Sequence, residues 1–405
     1  MEKILICTNH FYPETFRVND VAFCLAEKGY DVTVLTAIPD YPAGKFYDGY
    51  GYFRRRRETV RGVKVIRGFT IPRGRGGAFR ILLNYFSFFV SSILISIYLG
   101  LFRKFDRVFV HETSPVMIGV PAVIVKKLQH IPMLFWVLDL WPESLKAAGG
   151  VNNERILNMF AGLTKWIYRN SEKILISSEG FKQSILAMGD FEEKIVYFPN
   201  WADRIESAKP LSSVPQLPNG FIVMFAGNMG EAQDFEHIMD AIWKLREYRD
   251  IHFVIVGDGR KMEWVSNFVK ERNLVQQVHL LGRYPAESMP ALFCRADVMF
   301  LSLKDSSIFN FTVPAKLQAY MSAGKPVLAM MNGEGARIIA DSECGWSVPA
   351  GDSDGLANTL LSVFRTDKKV LQQKGANGKR YQTEHFNIDK CMEHLEELFC
   401  FASHL

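Results

Sequence analysis

The chain has 405 residues, 48% hydrophobic and 22% charged, with a formal net charge of +5. That length exceeds one ordinary core, so two globular domains are expected and a disordered or fibrous chain is not. Six scattered cysteines without close pairs argue against a disulfide framework or a zinc site and point to a reducing compartment, and no signal peptide is expected from the Met1–Lys3 start.

Strands are predicted in the first half at Lys3–Thr8, Asp31–Ala37, Val63–Arg67, Arg107–His111, Pro132–Asp139, Lys173–Ser178 and Lys194–Phe198. The runs are mostly solid apolar rather than alternating, as strands buried on both faces read. The first strand–helix turn lacks G-x-G-x-x-G, which argues against a dinucleotide site there. Polar groups close several of these strands: His111 and Glu112 on one, Asp139 on another, with Glu143 a turn further on. His10 and Arg17 lie in the first turn, on the same carboxyl edge of the sheet. Arg17 could meet a phosphate, and Asp139 or Glu143 could instead cap the helix that follows.

From Lys45 to Arg80 there are eleven Lys/Arg and two acids, a local charge of +9, including the run Arg54–Arg57. It predicts an anionic partner or a solvated loop. Directly after it, Ile81–Phe102 has no charge over 22 residues. That suffices to cross a bilayer, yet strands before and after it look like members of one sheet, which argues against a span. Asn84, Ser87, Ser91 and Tyr98 fall on one stripe. Two readings stay open: a helix buried against the sheet, or one that also dips into a membrane face beside the basic window.

Residues 200–220 hold three prolines and three serines without periodicity and read as a linker. Second-half strands are predicted at Phe221–Gly227, Ile251–Gly257, Gln277–Gly282, Asp297–Ser302 and Pro326–Met331. The fold is therefore α/β, two doubly wound domains with ligands at strand carboxyl ends. "VGDGR", with Gly257 and Arg260, is a glycine-rich turn that could approach phosphate. "NFTVPAKLQAYMSAGKPVLA" reads as a helix start that can hold an anion: Thr312 as cap, Pro314 in the first turn, then Lys316.

Six stretches together resemble family 4 glycosyltransferases: "FYPETFRVNDVAFCLAEKGYDVTVLTAIPDYPAG", "VHETSP", "LDLWPES", "FPNW", "AGNMGEAQDFEHIMDAI" and "VPAKLQAYMSAGKPVLA". Within that family they are similar to fucosamine-type transferases of bacterial O-antigen and capsule assembly. The resemblance covers nearly the whole chain. It implies a GT-B fold of two Rossmann-like domains with an interdomain cleft, the acceptor on residues 1–205, the nucleotide sugar on 206–385, and a C-terminal helix, 386–405, packing back on the first domain. It implies retaining transfer without metal or cofactor. The expected donor is a nucleotide sugar, UDP-linked, carrying a deoxy or N-acetylamino sugar, and the acceptor a polyprenyl-pyrophosphate-linked sugar. The place implied is the cytoplasmic side of the bacterial inner membrane, bound peripherally through 45–102, with no nucleic acid partner.

On this resemblance Lys316 and Arg260 grip the donor diphosphate, His111 lies beside the transferred sugar, and Asp139 or Glu112 takes the acceptor proton. Arg283 and Tyr284 sit in the base-binding turn, with Tyr284 as a stacking partner. The chain departs from the family where Phe311 and Ala319 replace two glutamates, and where Asn228 and Gln233 stand in place of an arginine and a lysine. Asn310, Phe311, Thr312 and Val313 would then offer backbone groups and an apolar ring to the sugar. Alternatives are a nucleotide-sugar 2-epimerase of the same fold and a non-catalytic binder of anionic polymer through Arg54–Arg57. Beside the arginine run, Tyr50, Tyr52 and Phe53 are the stacking platforms for the latter.

Overall fold

The computed structural model describes residues 1–75, 77–149, 151–201 and 215–401, so most of the segment read as a linker, and the position-205 boundary expected there, lie outside the described residues. The chain divides into two compact units, Met1–Asn200 with Cys391–Leu405, and Trp201–Lys390.

The first unit is built on eight strands: β1 (Lys3–Thr8), β2 (Asp31–Thr36), β3 (Arg57–Val60), β4 (Val63–Arg67), β5 (Arg107–Glu112), β6 (Met133–Val137), β7 (Lys173–Ile176) and β8 (Ile195–Tyr197). Their order is β3-β4-β2-β1-β5-β6-β7-β8, all pairs parallel except β3 with β4. The winding reverses between β1 and β5, so their carboxyl ends, and the loops leaving β2 and β6 beside them, form the expected ligand edge. β1, β2, β5 and β6 are apolar on both faces because helices cover both. β3 escapes a hydrophobic reading: "RETV" is a partly exposed edge strand, carrying on from the arginine run.

The helix Ala78–Phe102 crosses between β4 and β5, two strands of one sheet, so it does not carry the chain across a bilayer. Nor is it a core helix, since only 28% of its most apolar window is buried. It is inside out. Its polar residues face the unit: Ser92 and Ser96 are buried, and Asn84 donates to Ile71 O at 2.7 Å. Ser87 Oγ accepts from Ile71 N at 2.9 Å, and Ser91 donates to Phe69 O at 2.8 Å. Outward lie Phe79, Leu82, Phe86, Val90, Leu94, Ile97 and Leu101, each 40% to 71% exposed. Tyr98 leaves the expected polar stripe and joins the exposed side. From Cys391 the last helix belongs to the first unit, burying Met392, Leu395 and Phe399, with Arg107 donating to Phe399 O.

The second unit is a six-stranded parallel sheet: β9 (Phe221–Ala226), β10 (Ile251–Val256), β11 (Val278–Gly282), β12 (Val298–Ser302), β13 (Val327–Met330) and β14 (Gly345–Val348). Its order is β11-β10-β9-β12-β13-β14, with the switch between β9 and β12. Alternate residues of β9 feed two cores: Val223 and Phe225 on one face, Ile222, Met224 and Ala226 on the other. β14, "GWSV", was not expected; it is short, and Gly345 is required because a Cβ would meet Val327 O at 1.7 Å.

Candidate functional site

In the second unit the site centres on Lys316, second residue of the helix Ala315–Ser322. Tyr320 from the same helix exchanges hydrogen bonds with the Ala226 backbone at 2.9 Å, fixing the helix against the end of β9. Lys316 Nζ donates to Gln233 Oε1 and lies 4.1 Å from the centre of the Phe225 ring. Among the described residues no carboxylate pairs with it, and burial lowers its pKa to about 7. Thr312 does not cap this helix, as the sequence had suggested: it ends the preceding helix Ser307–Phe311, its hydroxyl donating to Ile308 O at 3.1 Å. Pro314 holds the N-cap position without a side-chain bond, so the helix start faces outward with its N–H groups uncapped by side chains.

The loops after β9 and β10 lie flat on one another. A Cβ on Gly257 would come 1.9 Å from Gly227 O, and one on Gly259 would come 2.5 Å from Met229 O. These glycines serve that close approach at positive φ. Asn228 and Arg260 are exposed at the loop tips. Arg283 is 77% exposed and pairs with Asp258 at 3.2 Å. Tyr284 packs partly against the core. Asn310 donates to Asp305 at 2.8 Å; Phe311 and Val313 are half-buried beside it, and Asn310 O lies where a Cβ on Gly333 would fall.

In the first unit a polar network sits at the ends of β1 and β2. Arg73 Nη2 donates to His10 Nε2 at 3.0 Å, so His10 carries its proton on Nδ1 and donates it to Glu14 at 2.8 Å. The other Glu14 oxygen accepts the N–H groups of Asp40 and Tyr41 at 2.9 and 2.7 Å. Asp40 Oδ2 accepts from Arg73 N at 2.7 Å and Asn84 at 3.0 Å. The Arg73 guanidinium lies over Tyr41 and Tyr85, 5.3 and 5.1 Å from their ring centres. His10 stacks on Phe16 at 4.6 Å. Of this cluster the sequence had singled out only His10 as a site residue. Asp40 lies in the loop four residues past the end of β2, too far from the strand for the strand-end pattern that marks His111 and Asp139. Glu14 and Arg73 carry no local pattern. Arg17 sits outside the cluster, 3.7 Å from Asp20.

Deeper in the same edge, His111 is buried against Thr8, whose Oγ1 is 3.0 Å from Nδ1. Burial lowers its pKa to about 3, with His10 adding to the shift, so the ring is neutral. Glu112 is fully buried, with Oε2 accepting from Leu138 N and Asp139 N at 3.3 Å and Oε1 unpartnered. Burial raises its pKa strongly, and the Asp139 charge adds to that. It braces the end of β6. Asp139 is half-buried and accepts from Ser114 and Ser144, tying that end to the helix that begins at Glu143. Burial raises Glu143 too. Among the described residues no three His, Cys, Asp or Glu side chains gather as a metal ion would need.

Two family models match the chain, a glycosyl transferase 4-like domain over residues 15–201 and glycosyl transferases group 1 over residues 220–366. A Pseudomonas aeruginosa relative with the name "Probable glycosyltransferase WbjE" is 24% identical, covering 75% of this chain and 79% of its own. WcaI of Escherichia coli, a glycosyl transferase assigned by name to colanic acid biosynthesis, is 22% identical over 80% and 81%. Among solved structures, Anabaena HepE in complex with UDP superimposes with a TM-score of 0.69 at 14% identity, covering 99% of this chain and all of that one. The matched models span both units, the strand order is doubly wound in each, and so the chain belongs to the group 1 glycosyltransferases of GT-B fold, with a family 4-like amino-terminal domain.

Proposed function

We propose that the enzyme transfers a deoxy or N-acetylamino sugar from a nucleoside diphosphate sugar to a polyprenyl-pyrophosphate-linked acceptor, with retention and without a metal, in surface polysaccharide assembly. The observation that carries the donor assignment is Lys316, a desolvated cation whose partners are an amide oxygen and an aromatic face. A buried cation without a counter-ion favours an incoming anion. The diphosphate supplies two, and the uncapped helix start adds amide dipoles. A UDP-linked donor is favoured because HepE holds UDP. The polysaccharide setting draws on the name of one bacterial relative, which assigns it to colanic acid biosynthesis; an O-antigen or capsule of fucosamine type rests on the sequence resemblance. Phe311 and Val313 beside Lys316 suit a sugar with fewer hydroxyls.

The acceptor belongs to the strand-end network of the first unit. Half-buried Asp139 takes the acceptor hydroxyl proton, and neutral His111 lines the polar edge beside it. Electrostatic stabilisation of the leaving diphosphate by Lys316 supplies most of the acceleration. The exposed apolar stripe of the helix Ala78–Phe102, beside the basic window 45–80, supports peripheral attachment to the cytoplasmic face of the inner membrane. A 2-epimerase of soluble nucleotide sugars has no use for that stripe.

The test is a panel of UDP-, GDP- and dTDP-sugars with a polyprenyl-pyrophosphate sugar in detergent, product configuration read by anomeric NMR couplings. Transfer with retention by wild type, lost in Lys316→Ala, is expected. Equal turnover in that variant sinks the donor assignment. Sedimentation of wild type, but not of the triple variant Leu82→Ser, Phe86→Ser, Leu101→Ser, with anionic vesicles tests the attachment separately.

A further inference from the structure

The basic window is not uniform. Along the β3–β4 hairpin, from the starts of β1 and β2 to the end of β4, two adjoining cavities of about 510 and about 270 Å³ share Arg57, Ile66, Tyr98 and Leu99. They make one groove between the β3–β4 hairpin and the last three turns of the long helix. Its floor is apolar: Ile66, Leu94, Ile95, Tyr98 and Leu99. Leu94 and Tyr98, 65% and 44% exposed, also belong to the outward apolar side of the helix, so the groove opens onto it.

The cations around the groove fall into two sets. Lys64 is held by Asp31 at 2.7 Å and Arg67 by Glu58 at 2.6 Å. Arg56 is spent on the carbonyls of Arg67 and Tyr52, at 2.8 and 3.0 Å. Lys3, Arg57, Arg103 and Lys104 line the larger cavity, and among the described residues none of the four has an ion-pair partner. Both acids lining the groove, Asp31 and Glu58, are already paired, so four unneutralised charges surround an apolar trough. Free phosphate has no use for the trough, and a neutral lipid none for the cations.

We propose that this groove binds one acidic phospholipid, its phosphate held by Arg57, Arg103 and Lys104 and an acyl chain laid along Ile66, Leu94, Ile95 and Tyr98. The site shares no lining residue with the strand-end network: neither cavity is lined by His10, Glu14, Asp40, Arg73, His111 or Asp139. It deepens the membrane-facing reading, by giving that face a lipid preference, and rests on it for access to lipid. Its test does not.

The probe is dioctanoyl phosphatidylglycerol below its micelle concentration, titrated into the full-length protein by calorimetry. Binding is expected to weaken at least tenfold in the triple variant Arg57→Gln, Arg103→Gln, Lys104→Gln. It should change less than threefold in Arg54→Gln, Arg55→Gln, Arg80→Gln, which loses the same charge outside the groove. Ile95→Trp, which fills the trough and keeps every charge, should also abolish binding. Equal weakening in the two triple variants shows nonspecific attraction and overturns the site. Glycerol phosphate binding as tightly as the lipid makes it a phosphate site and overturns the lipid assignment, and dioctanoyl phosphatidylcholine binding as tightly removes the charge argument. Loss of vesicle binding in the Leu82, Phe86, Leu101 variant with intact binding of the soluble lipid separates this proposal from the attachment reading.

Discussion

A Cβ on Gly227 would lie 2.4 Å from Cε of Lys316. The lysine reaches its position only because the residue at the end of β9 has no side chain. Gly227→Ala therefore acts at the proposed donor site. It should raise the dissociation constant for a nucleoside diphosphate at least tenfold, by pushing Nζ off the Phe225 face. The positive φ of 140° adds a destabilisation of ~1–2 kcal/mol. Calorimetric titration of UDP and thermal melts of the same variant check both.

Lys316 also gives donor binding a pH signature. Burial sets its pKa at about 7, and an anion beside it favours the charged form. Binding above pH 7 must then take up a proton, and affinity should fall by up to tenfold per pH unit there. Titrations at pH 8 in two buffers of different ionisation heat measure the uptake, and Lys316→Met should abolish it. The stability effect has the same origin. The folded pKa lies below the unfolded value, so the unfolded chain binds more protons between about 7 and 10.5, and stability rises with pH across that window. Lys316→Met removes the burial cost and should raise the melting temperature at pH 7 by a few degrees, ~1 kcal/mol or more.

Asn84 ties the long helix to the strand-end network through Asp40 and Ile71 O. Asn84→Leu leaves a buried carboxylate oxygen and a carbonyl each one donor short, at a cost of ~1–3 kcal/mol. Leu82→Ser on the outer face, 61% exposed, should change the melting temperature little and raise solubility. Thermal melts of the two variants decide whether the helix is inside out in solution; a larger loss from Leu82→Ser would refute it.

His252 and His279, on neighbouring strands β10 and β11, meet at 3.2 Å between Nδ1 and Nε2. His252 Nε2 donates to Asn219 O at 2.9 Å, so its Nδ1 accepts from His279. Burial, then His252, lowers the His279 pKa. The contribution of His279 is present above about pH 6.5 and is lost as pH falls below it, because the unfolded chain takes up that proton first. His279→Asn should flatten the acid limb of denaturant midpoints measured from pH 7 to 5.

The parts legible in the sequence are those with local patterns. Solid apolar runs gave twelve of the strands because burial on both faces removes the polar alternation. Lys316 stood out because proline, lysine and a helix start lie side by side. Glu14, Asp40, Arg73 and Asn84 did not, because they meet only when β1, β2 and the long helix are assembled, and sequence separations of 26 to 63 residues carry no periodic signal. The serine stripe was visible as a stripe, but periodicity does not say which face of a helix meets its own protein. The arginine run hid β3, whose start carries the same charges.

Gln233 has one further consequence. A lysine held by a carboxylate would have to break an ion pair whenever substrate arrived and remake it whenever product left. An amide oxygen lets go without that penalty, yet offers nothing to replace the departing diphosphate. On the proposed donor assignment the spent nucleotide keeps the diphosphate that Lys316 holds, so its departure, rather than sugar transfer, should pace turnover. Added nucleoside diphosphate should inhibit competitively, and Gln233→Glu should relieve that inhibition while weakening the donor.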